Sequence, residues 1–193
     1  NSGVCSRREA DTYIASGNVT VNGKVITEMG FKVKPGDEVR FDNSFISPEE
    51  KKYVLLNKPK NYITTMDDDR GRKTVMDLIA GAAKERVYPV GRLDRNTTGL
   101  LLFTNDGELA KKLTHPKHNI QKLYHASLDK KLTVKHLHLL RDEVIIEGRK
   151  VFIDEVDYVA GESKTEVGIK IHSGRNRIVR KIFEHFGYKV VKL

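Results

Sequence analysis

Short blocks of apolar and polar residues alternate along this chain and predict small elements of both kinds. An unbroken apolar run over residues 100–103 suits a strand covered on both faces. Residues 122–128 and 167–171 alternate instead, which predicts strands with one buried face. Further short strands are expected at residues 53–58, 144–146, 151–153 and 156–159. Apolar residues at helical spacing predict a last helix, closed by Gly187, with this stripe: Ile178, Val179, Ile182, Phe183 and Phe186.

Capping residues predict where the helices begin, because a side-chain oxygen there satisfies free backbone amides. The capping patterns are Ser6 with Glu9, Thr74 with Asp77, Asn105 with Glu108, and Thr133 by itself. The helices that follow are expected to end near residues 14, 79, 113 and 140. Mixed helices and strands of this kind indicate an α+β fold.

Turn residues divide the chain into two domains. Asn22 and Gly23 predict a tight hairpin over residues 19–26, and a turn at 34–37 leads to a closing strand at 39–41. The polar segment that follows, with Pro48, has the composition of a linker. We therefore expect a small α/β domain at residues 1–43, a linker at 44–51 and a larger domain at 52–193.

Composition narrows the class of protein. The 193 residues suffice for one large domain or two small ones, and no apolar run approaches the roughly 20 residues of a membrane-spanning helix. The start does not resemble a secretory signal, and because Asn1 is not an initiator methionine we expect a fragment. Cys5 is the only cysteine, which favours a reducing cytoplasm. Zinc-ligand spacing and glycine-rich nucleotide loops are absent, so neither a metal nor a nucleotide cofactor is expected.

Charge is distributed unevenly along the chain. The net charge of +9, from 35 basic and 26 acidic residues, favours an anionic partner such as nucleic acid. Residues 1–43 hold six basic and six acidic residues, whereas residues 51–193 carry a net charge of +11. We therefore expect the larger domain to hold the phosphate backbone of that partner.

A polar loop at residues 91–98 lies between two apolar runs and carries Arg92, Asp94 and Arg95. Loops held between buried elements are the usual place for reacting groups. Two interpretations of Asp94 are open: a side chain that caps its own turn, or a reacting carboxylate. Glycosidic chemistry usually needs two carboxylates. A single carboxylate can suffice where a glycosidic bond is broken and remade on the same nucleobase, without net hydrolysis.

Four cationic residues lie at the start of the last predicted helix, and the final three fall off its apolar stripe: Arg175, Arg177, Arg180 and Lys181. Their charges add to the exposed amides and the dipole of a helix start, which suits phosphate or carboxylate. The alternative is a solvated basic turn. Elsewhere, His115 and His118 flank Pro116 in a basic loop and are interpreted as surface residues rather than metal ligands.

Residues 1–43 resemble the RNA-binding domain shared with ribosomal protein S4. The resemblance rests on S-R-R-E-A-D at residues 6–11, V-x-V-N-G at 19–23 and K-P-G-D at 34–37. It implies that Arg7 and Arg8 contact RNA backbone, the alternative being a solvated helix start. The first helix of the family pattern is missing from this chain.

The larger domain resembles the pseudouridine synthases of the RsuA/RluB/RluE/RluF type, closest to the RluB-like enzymes. G-R-L-D at residues 91–94 is followed by T-G-L-L-L-F-T-N-D-G-E-L at 98–109. Three further motifs stand in the family order: Y-V-L-L-N-K-P at 53–59, K-L-Y-H-A at 122–126 and G-R-N-R-I-V-R-K-I-F at 174–183. The resemblance implies a catalytic domain with a mixed, largely antiparallel sheet flanked by helices. Its C-terminal end is expected to be truncated relative to the family pattern.

The resemblance also implies what individual residues do in converting uridine to pseudouridine without a cofactor. Asp94 matches the essential aspartate, for which attack on the sugar, attack on the uracil and removal of a sugar proton are all open. Tyr124 matches the tyrosine that stacks on the target uracil, and without the motif it would read as a core residue. Arg180 matches the basic residue that pairs with the aspartate and keeps it ionised. Arg92 matches the residue that enters the space vacated by the flipped base.

The implied partner is a structured stem-loop of ribosomal RNA, with large-subunit RNA preferred and small-subunit RNA as an alternative. Arg175, Arg177 and Lys181 are expected to bind RNA in a monomeric enzyme. Two rival functions are a non-catalytic RNA-binding or ribosome-assembly protein and a glycosidase that cleaves nucleosides.

Overall fold

The computed structural model describes residues 2–142 and 144–193; Asn1, with which the predicted first domain begins, lies outside them. Within these ranges, five α-helices, one 3₁₀ helix and thirteen strands form an α+β fold with four antiparallel sheets. An isolated bridge between Ile63 and Thr74 is parallel. The predicted fold class is confirmed. No helix in the described ranges is long and apolar enough to cross a bilayer.

The first unit places helix α1 (Arg7–Ala15) against a small sheet. The predicted capping box is present: the Ser6 hydroxyl accepts from the Glu9 amide at 3.3 Å, and the Glu9 carboxylate accepts from the Ser6 amide at 2.7 Å. Tyr13 meets Phe41 edge to face with ring centroids 5.0 Å apart. Because an aromatic pair of this geometry favours packing beyond the buried area alone, it fixes α1 on the sheet.

The sheet of the first unit has the order β2-β1-β3-β4. The predicted hairpin forms at Asn22 and Gly23, which both have the positive φ (50° and 77°) of a tight two-residue turn. Residues 44 and 45, which were predicted to lie in a linker, instead form strand β4, where Phe45 pairs with Arg40. Local composition misses this strand because it is formed by pairing with the neighbouring strand. The strands are β1 (Val19–Val21), β2 (Lys24–Val25), β3 (Val39–Phe41) and β4 (Ser44–Phe45).

A three-stranded sheet of order β5-β7-β6 begins the second unit. Its elements are β5 (Tyr53–Lys58), α2 (Val75–Leu78), β6 (Tyr88–Pro89) and β7 (Gly99–Thr104). One face packs Leu101 and Phe103 against Val75 of α2, whose predicted Thr74–Asp77 cap is present. On the other face Leu100 is 72% exposed, so the prediction of a strand covered on both faces is wrong. Neighbouring strand side chains point to opposite faces, and α2 packs on only one of them.

Helix α3 (Gly107–Thr114) begins one residue later than predicted. Its N-cap is Asp106, whose carboxylate accepts from the amides of Glu108 and Leu109. Asn105 instead braces the preceding segment, accepting from the Lys52 amide at 2.8 Å. The predicted Asn105 cap is therefore wrong, because tertiary contacts use that side chain.

The largest sheet has the order β11-β12-β8-β13 and carries the main hydrophobic core. Its strands are β8 (Lys122–Leu128), β11 (Glu155–Tyr158), β12 (Glu166–Ile171) and β13 (Val190–Lys192). A 3₁₀ helix, η1 (Pro116–His118), precedes β8, and two helices, α4 (Val134–Arg141) and α5 (Ile178–His185), flank the sheet. The predicted Thr133 cap of α4 is confirmed.

A two-stranded hairpin, β9 (Val144–Ile146) and β10 (Arg149–Val151), packs beside α5. The strand predicted at residues 151–153 is wrong, because the strand ends at Val151. The hairpin turn places Glu147 at φ 54°, where its carboxylate pairs with Arg175 and Lys181.

Candidate active site

The loop that carries Asp94 connects β6 to β7 and is closed by its own main chain. The Thr97 amide donates to the carbonyl of Asp94 at 3.0 Å. Thr64 holds the preceding residue twice: its hydroxyl donates to the Leu93 carbonyl at 2.8 Å and accepts from the Leu93 amide at 3.2 Å. Among the described residues the Asp94 side chain makes no hydrogen bond to the main chain. The turn therefore does not use the side-chain cap of the first interpretation.

Lys58, at the end of β5, lies beneath this loop. Its side chain is fully buried, and its ammonium donates to the carbonyls of Pro59, Arg95 and Thr97 at 3.0, 3.3 and 2.9 Å. Desolvation lowers the pKa of Lys58, and the negative charge of Asp94 opposes that shift. A buried ammonium with three carbonyl partners fixes the backbone on both sides of Asn96.

Lys58 was not predicted as a site residue, although its position in the strand pattern marks it as buried. Val54, Leu56 and Lys58 occupy alternate positions of β5 and therefore share its inward face. Lysine is almost never fully buried unless it is paired. A lysine at an inward position, directly before Pro59, is thus a sign of a buried partner.

Arg177 is the side chain that faces Asp94 most directly. Its guanidinium lies 3.7 Å from the Asp94 carboxylate, with the two side chains 48% and 31% exposed. Arg177 precedes α5 in a left-handed conformation (φ 50°) and provides no side-chain cap. Non-glycine residues in that conformation are uncommon and carry strain that is often found at functional sites. The pattern predicted an RNA contact for Arg177 and missed its place beside Asp94.

Arg180, the predicted partner of Asp94, is buried and makes a different contact. Its guanidinium donates to the Val190 carbonyl at 2.7 Å, while its Nε has no partner among the described residues. Desolvation, and then the charge of Arg177, lowers the pKa of Arg180, whereas Asp94 acts in the opposite direction. Arg180 therefore lies within electrostatic reach of Asp94 but forms no ion pair with it within 4.0 Å. Arg180 is 8% exposed although it falls off the apolar stripe of α5.

Tyr124 completes the group from the middle of β8, where it pairs with Ile169 of β12. Desolvation raises the pKa of its hydroxyl, and the charge of Asp94 adds to the rise. The hydroxyl is therefore a neutral hydrogen-bonding group at neutral pH. The structure thus places Tyr124 and Arg180 within electrostatic reach of Asp94 and adds Lys58 and Arg177 to this group, while the catalytic roles of these residues stay predictions.

The other two cations at the start of α5 turn away from Asp94. Lys181 pairs with Glu147 at 2.7 Å, and Arg175 lies 3.5 Å from the same carboxylate while donating to the Ile146 carbonyl at 2.9 Å. These pairs lower the pKa of Glu147, the Lys181 hydrogen bond being the largest cause. An acidic residue on the β9–β10 turn therefore partly neutralises the predicted cluster.

Three predicted RNA contacts stand free on the surface. Arg92 is exposed two residues before Asp94, and Arg7 and Arg8 are exposed at the start of α1. None of the three has an ion-pair partner within 4.0 Å among the described residues. Arg92 therefore lies exposed on the same loop as Asp94, whereas Arg7 and Arg8 lie in the first unit.

The arrangement offers one carboxylate, one neutral phenol and two guanidinium groups in a partly enclosed site. The described residues hold no group of three or more histidine, cysteine or acidic side chains placed to bind a metal. A carboxylate in such surroundings is suited to act as a nucleophile or as a base.

Comparison with known proteins identifies the family. A family profile described as RNA pseudouridylate synthase matches residues 52–185, well over half of the chain. The chain belongs to the RNA pseudouridylate synthase family. A second profile, the S4 domain, matches residues 1–39. Both resemblances seen in the sequence are confirmed, and the chain is an enzyme of the pseudouridine synthase class.

Two similar synthases match this chain along its whole length. Ribosomal large subunit pseudouridine synthase B of Bacillus subtilis is 42% identical over 196 residues, covering 100% of this chain and 80% of that protein. Dual-specificity RNA pseudouridine synthase RluF of Escherichia coli is 37% identical over 195 residues, covering 100% of this chain and 65% of that protein. The synthase profile places all of Asp94, Tyr124 and Arg180 inside the matched residues.

A solved structure shares the fold of this synthase. The crystal structure of a pseudouridylate synthase superposes with a TM-score of 0.66 at 26% identity and covers 99% of this chain and 82% of that one. A chain from the structure of an H/ACA RNP bound to a substrate RNA shares the fold with a TM-score of 0.52 at 14% identity.

Proposed function

We propose that this synthase isomerises uridine to pseudouridine in ribosomal RNA, with large-subunit RNA as the preferred substrate. The observation that carries the proposal is the carboxylate of Asp94, which faces Arg177 at 3.7 Å within the synthase domain. The large-subunit name of the Bacillus subtilis relative supports the choice of RNA. A net charge of +9 suits binding to a polyanion.

The reaction exchanges one bond for another on the same base. The bond from uracil nitrogen 1 to the sugar breaks, and a bond from uracil carbon 5 to the same sugar carbon forms. The hydrogen on carbon 5 leaves to solvent, and nitrogen 1 gains a proton. The product has the mass of the substrate, so the balance requires no oxidant, reductant or group donor.

Asp94 supplies the carboxylate for this exchange. Attack on the sugar, attack on the uracil and removal of a sugar proton all use its negative charge, which Arg177 and Arg180 face. Lys58 fixes the adjacent backbone, so the carboxylate is positioned before RNA binds. A reacting group that is already in position lowers the activation barrier substantially, because less entropy is lost on the way to the transition state.

Tyr124 and Arg180 act on the base and on the carboxylate, respectively. The ring of Tyr124 provides a face on which uracil stacks, and its neutral hydroxyl assists proton transfer. Arg180 stabilises the negative charge of Asp94 from the buried side, where its guanidinium is fixed on Val190. Tyr124 is a catalytic residue in this proposal because it touches the base. Arg180 is a positioning residue, because it acts on the carboxylate by its charge and forms no ion pair with Asp94 within 4.0 Å among the described residues.

The target uridine is flipped out of the RNA helix into this site. Extrusion of a base costs a few kcal/mol, and Arg92, exposed two residues from Asp94, offsets it by entering the vacated space. The RNA backbone is held by Arg175, Arg177 and Lys181 beside the site and by Arg7 and Arg8 in the first unit. Phosphate contacts of this kind fix the register of the RNA but carry no sequence information.

Analysis of the products tests the proposed reaction. The protein is incubated with an in-vitro transcript of large-subunit ribosomal RNA, and the RNA is digested to nucleosides and separated. We expect pseudouridine in place of uridine, with the mass of the RNA unchanged. Free uracil would identify a glycosidase, and tight binding with no new nucleoside would identify a non-catalytic RNA-binding protein; either result overturns the proposal.

A further inference from the structure

A strongly cationic surface lies outside the candidate active site, at the end of α3 and along η1. We name it the α3–η1 surface, and it consists of Lys111, Lys112, His115, Lys117 and His118. No aspartate or glutamate occurs from residue 109 to residue 128. The segment is therefore cationic over twenty consecutive residues.

The lysines of this surface form no ion pair within the part of the chain that the structure describes. None of Lys111, Lys112 and Lys117 has a carboxylate within 4.0 Å among the described residues. Lys181 and Arg175, by contrast, share the carboxylate of Glu147. Cations gathered without a counter-charge repel one another, which an anionic partner relieves.

The geometry of η1 holds these groups together. The amide of Lys117 donates to Nδ1 of His115 at 3.2 Å, and the rings of His115 and His118 meet edge to face at 6.2 Å. Desolvation lowers the pKa of His118, and the neighbouring charges, first that of Lys117, lower it further. The side chains of α3 and η1 therefore act as one electrostatic group.

The surface begins next to the loop of Asp94. The methyl group of Thr114, the last residue of α3, lies 4.0 Å from the position that a Cβ on Gly91 would occupy. Gly91 directly precedes Arg92, the residue proposed to enter the RNA helix. An RNA that places its target uridine at Asp94 must therefore pass close to the end of α3.

We propose that the α3–η1 surface binds phosphates of the RNA strand that flanks the target uridine. The inference rests on the proposed function, since the partner is the RNA substrate of the same site. Unpaired lysines next to the loop of Arg92 extend the backbone contacts beyond the cluster at α5. Because such contacts release counterions, they make binding depend more steeply on salt.

Salt-dependent binding tests this surface. The variant Lys111→Gln, Lys112→Gln, Lys117→Gln is compared with a matched control that also removes three unpaired, exposed lysines, Lys131→Gln, Lys135→Gln, Lys189→Gln. Affinity for an in-vitro transcript of large-subunit ribosomal RNA is measured at several salt concentrations. In a plot of log affinity against log salt, we expect the negative slope to become shallower by about two to three for the first variant and by less than one for the control.

Each other result has a defined meaning. Equal slopes for the two triple variants would overturn the proposal that the α3–η1 surface binds RNA, because removal of three lysines elsewhere would then have the same effect. An unchanged RNA slope together with lost retention of an acidic protein partner would assign the surface to protein binding instead, and this also overturns the proposal. Failure of the wild-type protein to form pseudouridine would contradict the proposed function. The comparison of slopes measures binding alone, so its result does not depend on whether pseudouridine forms.

Discussion

The loop of Asp94 and the loop that leads into α5 meet at the candidate active site, yet different contacts hold them. Buried groups fix the first: Lys58 donates to two of its carbonyls, and the Thr98 amide donates to the Leu193 carbonyl at 2.9 Å. Surface ion pairs hold the second, where Arg175 and Lys181 share the exposed Glu147.

This difference separates two requirements of the site. A reacting carboxylate has to keep its position, and buried hydrogen bonds are costly to break. Under the proposed function, Arg175 and Lys181 exchange Glu147 for RNA phosphates, and exposed ion pairs of this kind contribute little to stability. The contacts of the first loop thus fix the position of the Asp94 carboxylate, whereas those of the second allow its cations to change partners.

Removal of the buried ammonium should give the largest effect on stability. In Lys58→Met, the carbonyls of Pro59, Arg95 and Thr97 lose a charged donor, so we expect the free energy of unfolding to fall by about 3 kcal/mol. Chemical denaturation measures the change. Lys60→Met, an exposed neighbour, is the matched control, and equal effects of the two variants would contradict the buried brace.

The second loop is tested by Arg177→Gln, which removes the cation that faces Asp94. We expect kcat/KM for pseudouridine formation to fall roughly tenfold, because about 1.4 kcal/mol of transition-state stabilisation is a factor of ten. Stability should change little, since the pair is partly exposed. Arg177→Lys should recover part of the rate, whereas Arg70→Gln, at an exposed site, should leave it unchanged. Wild-type activity in Arg177→Gln would show that the pair is incidental.

Glu147→Gln should act in the opposite direction. Release of Arg175 and Lys181 leaves two more cations for phosphate, so we expect RNA affinity to rise about threefold and to depend more steeply on salt. Filter binding measures both quantities. The exposed Glu162→Gln serves as the control for charge alone, and an identical gain there would remove the special role of Glu147.

The smallest effect should come from substitution of Asp106, at the start of α3. Asp106 caps α3, pairs with Lys51 at 2.9 Å and accepts from the Tyr53 hydroxyl at 3.0 Å. These contacts, the Lys51 hydrogen bond foremost, lower its pKa from 3.8 to about 2.

A carboxylate whose folded pKa is lowered stabilises the protein above its unfolded pKa, and that stability is lost as the pH falls through the folded pKa. We therefore expect wild type to have a higher Tm than Asp106→Asn from pH 7 to about pH 5. The difference should shrink as the pH falls from about 4 towards 2. A Tm difference that stays constant down to pH 2 would contradict the assignment.

Local signals of the sequence predicted much of the fold. The caps at Ser6, Thr74 and Thr133 depend on residues a few positions apart, and all three are present. Strand β4 and the cap at Asp106 were missed because both depend on partners far along the chain. Periodicity alone did not reveal that Leu100 faces solvent, because coverage depends on the neighbouring layer.

The candidate site divides in the same way. The motifs brought out Asp94, Tyr124 and Arg180, which the structure gathers around one carboxylate. The place of Arg177 depends on a left-handed residue before α5, and that of Glu147 on a hairpin turn with φ 54°. Neither backbone conformation follows from the type of residue, since both positions are occupied by residues that rarely adopt it.

In the proposed function, the carboxylate of Asp94 carries out the exchange of bonds. Tritium release from ribosomal RNA labelled at uracil carbon 5 measures that exchange, because the hydrogen leaves when the new bond forms. Asp94→Asn keeps the shape of the side chain, and Asp69→Asn, at an exposed site, is the matched control. We expect RNA binding in both variants, tritium release at the wild-type rate in Asp69→Asn, and release in Asp94→Asn reduced at least 1,000-fold, a loss of about 4 kcal/mol. Tritium release by Asp94→Asn at the wild-type rate would show that this carboxylate does not carry out the reaction.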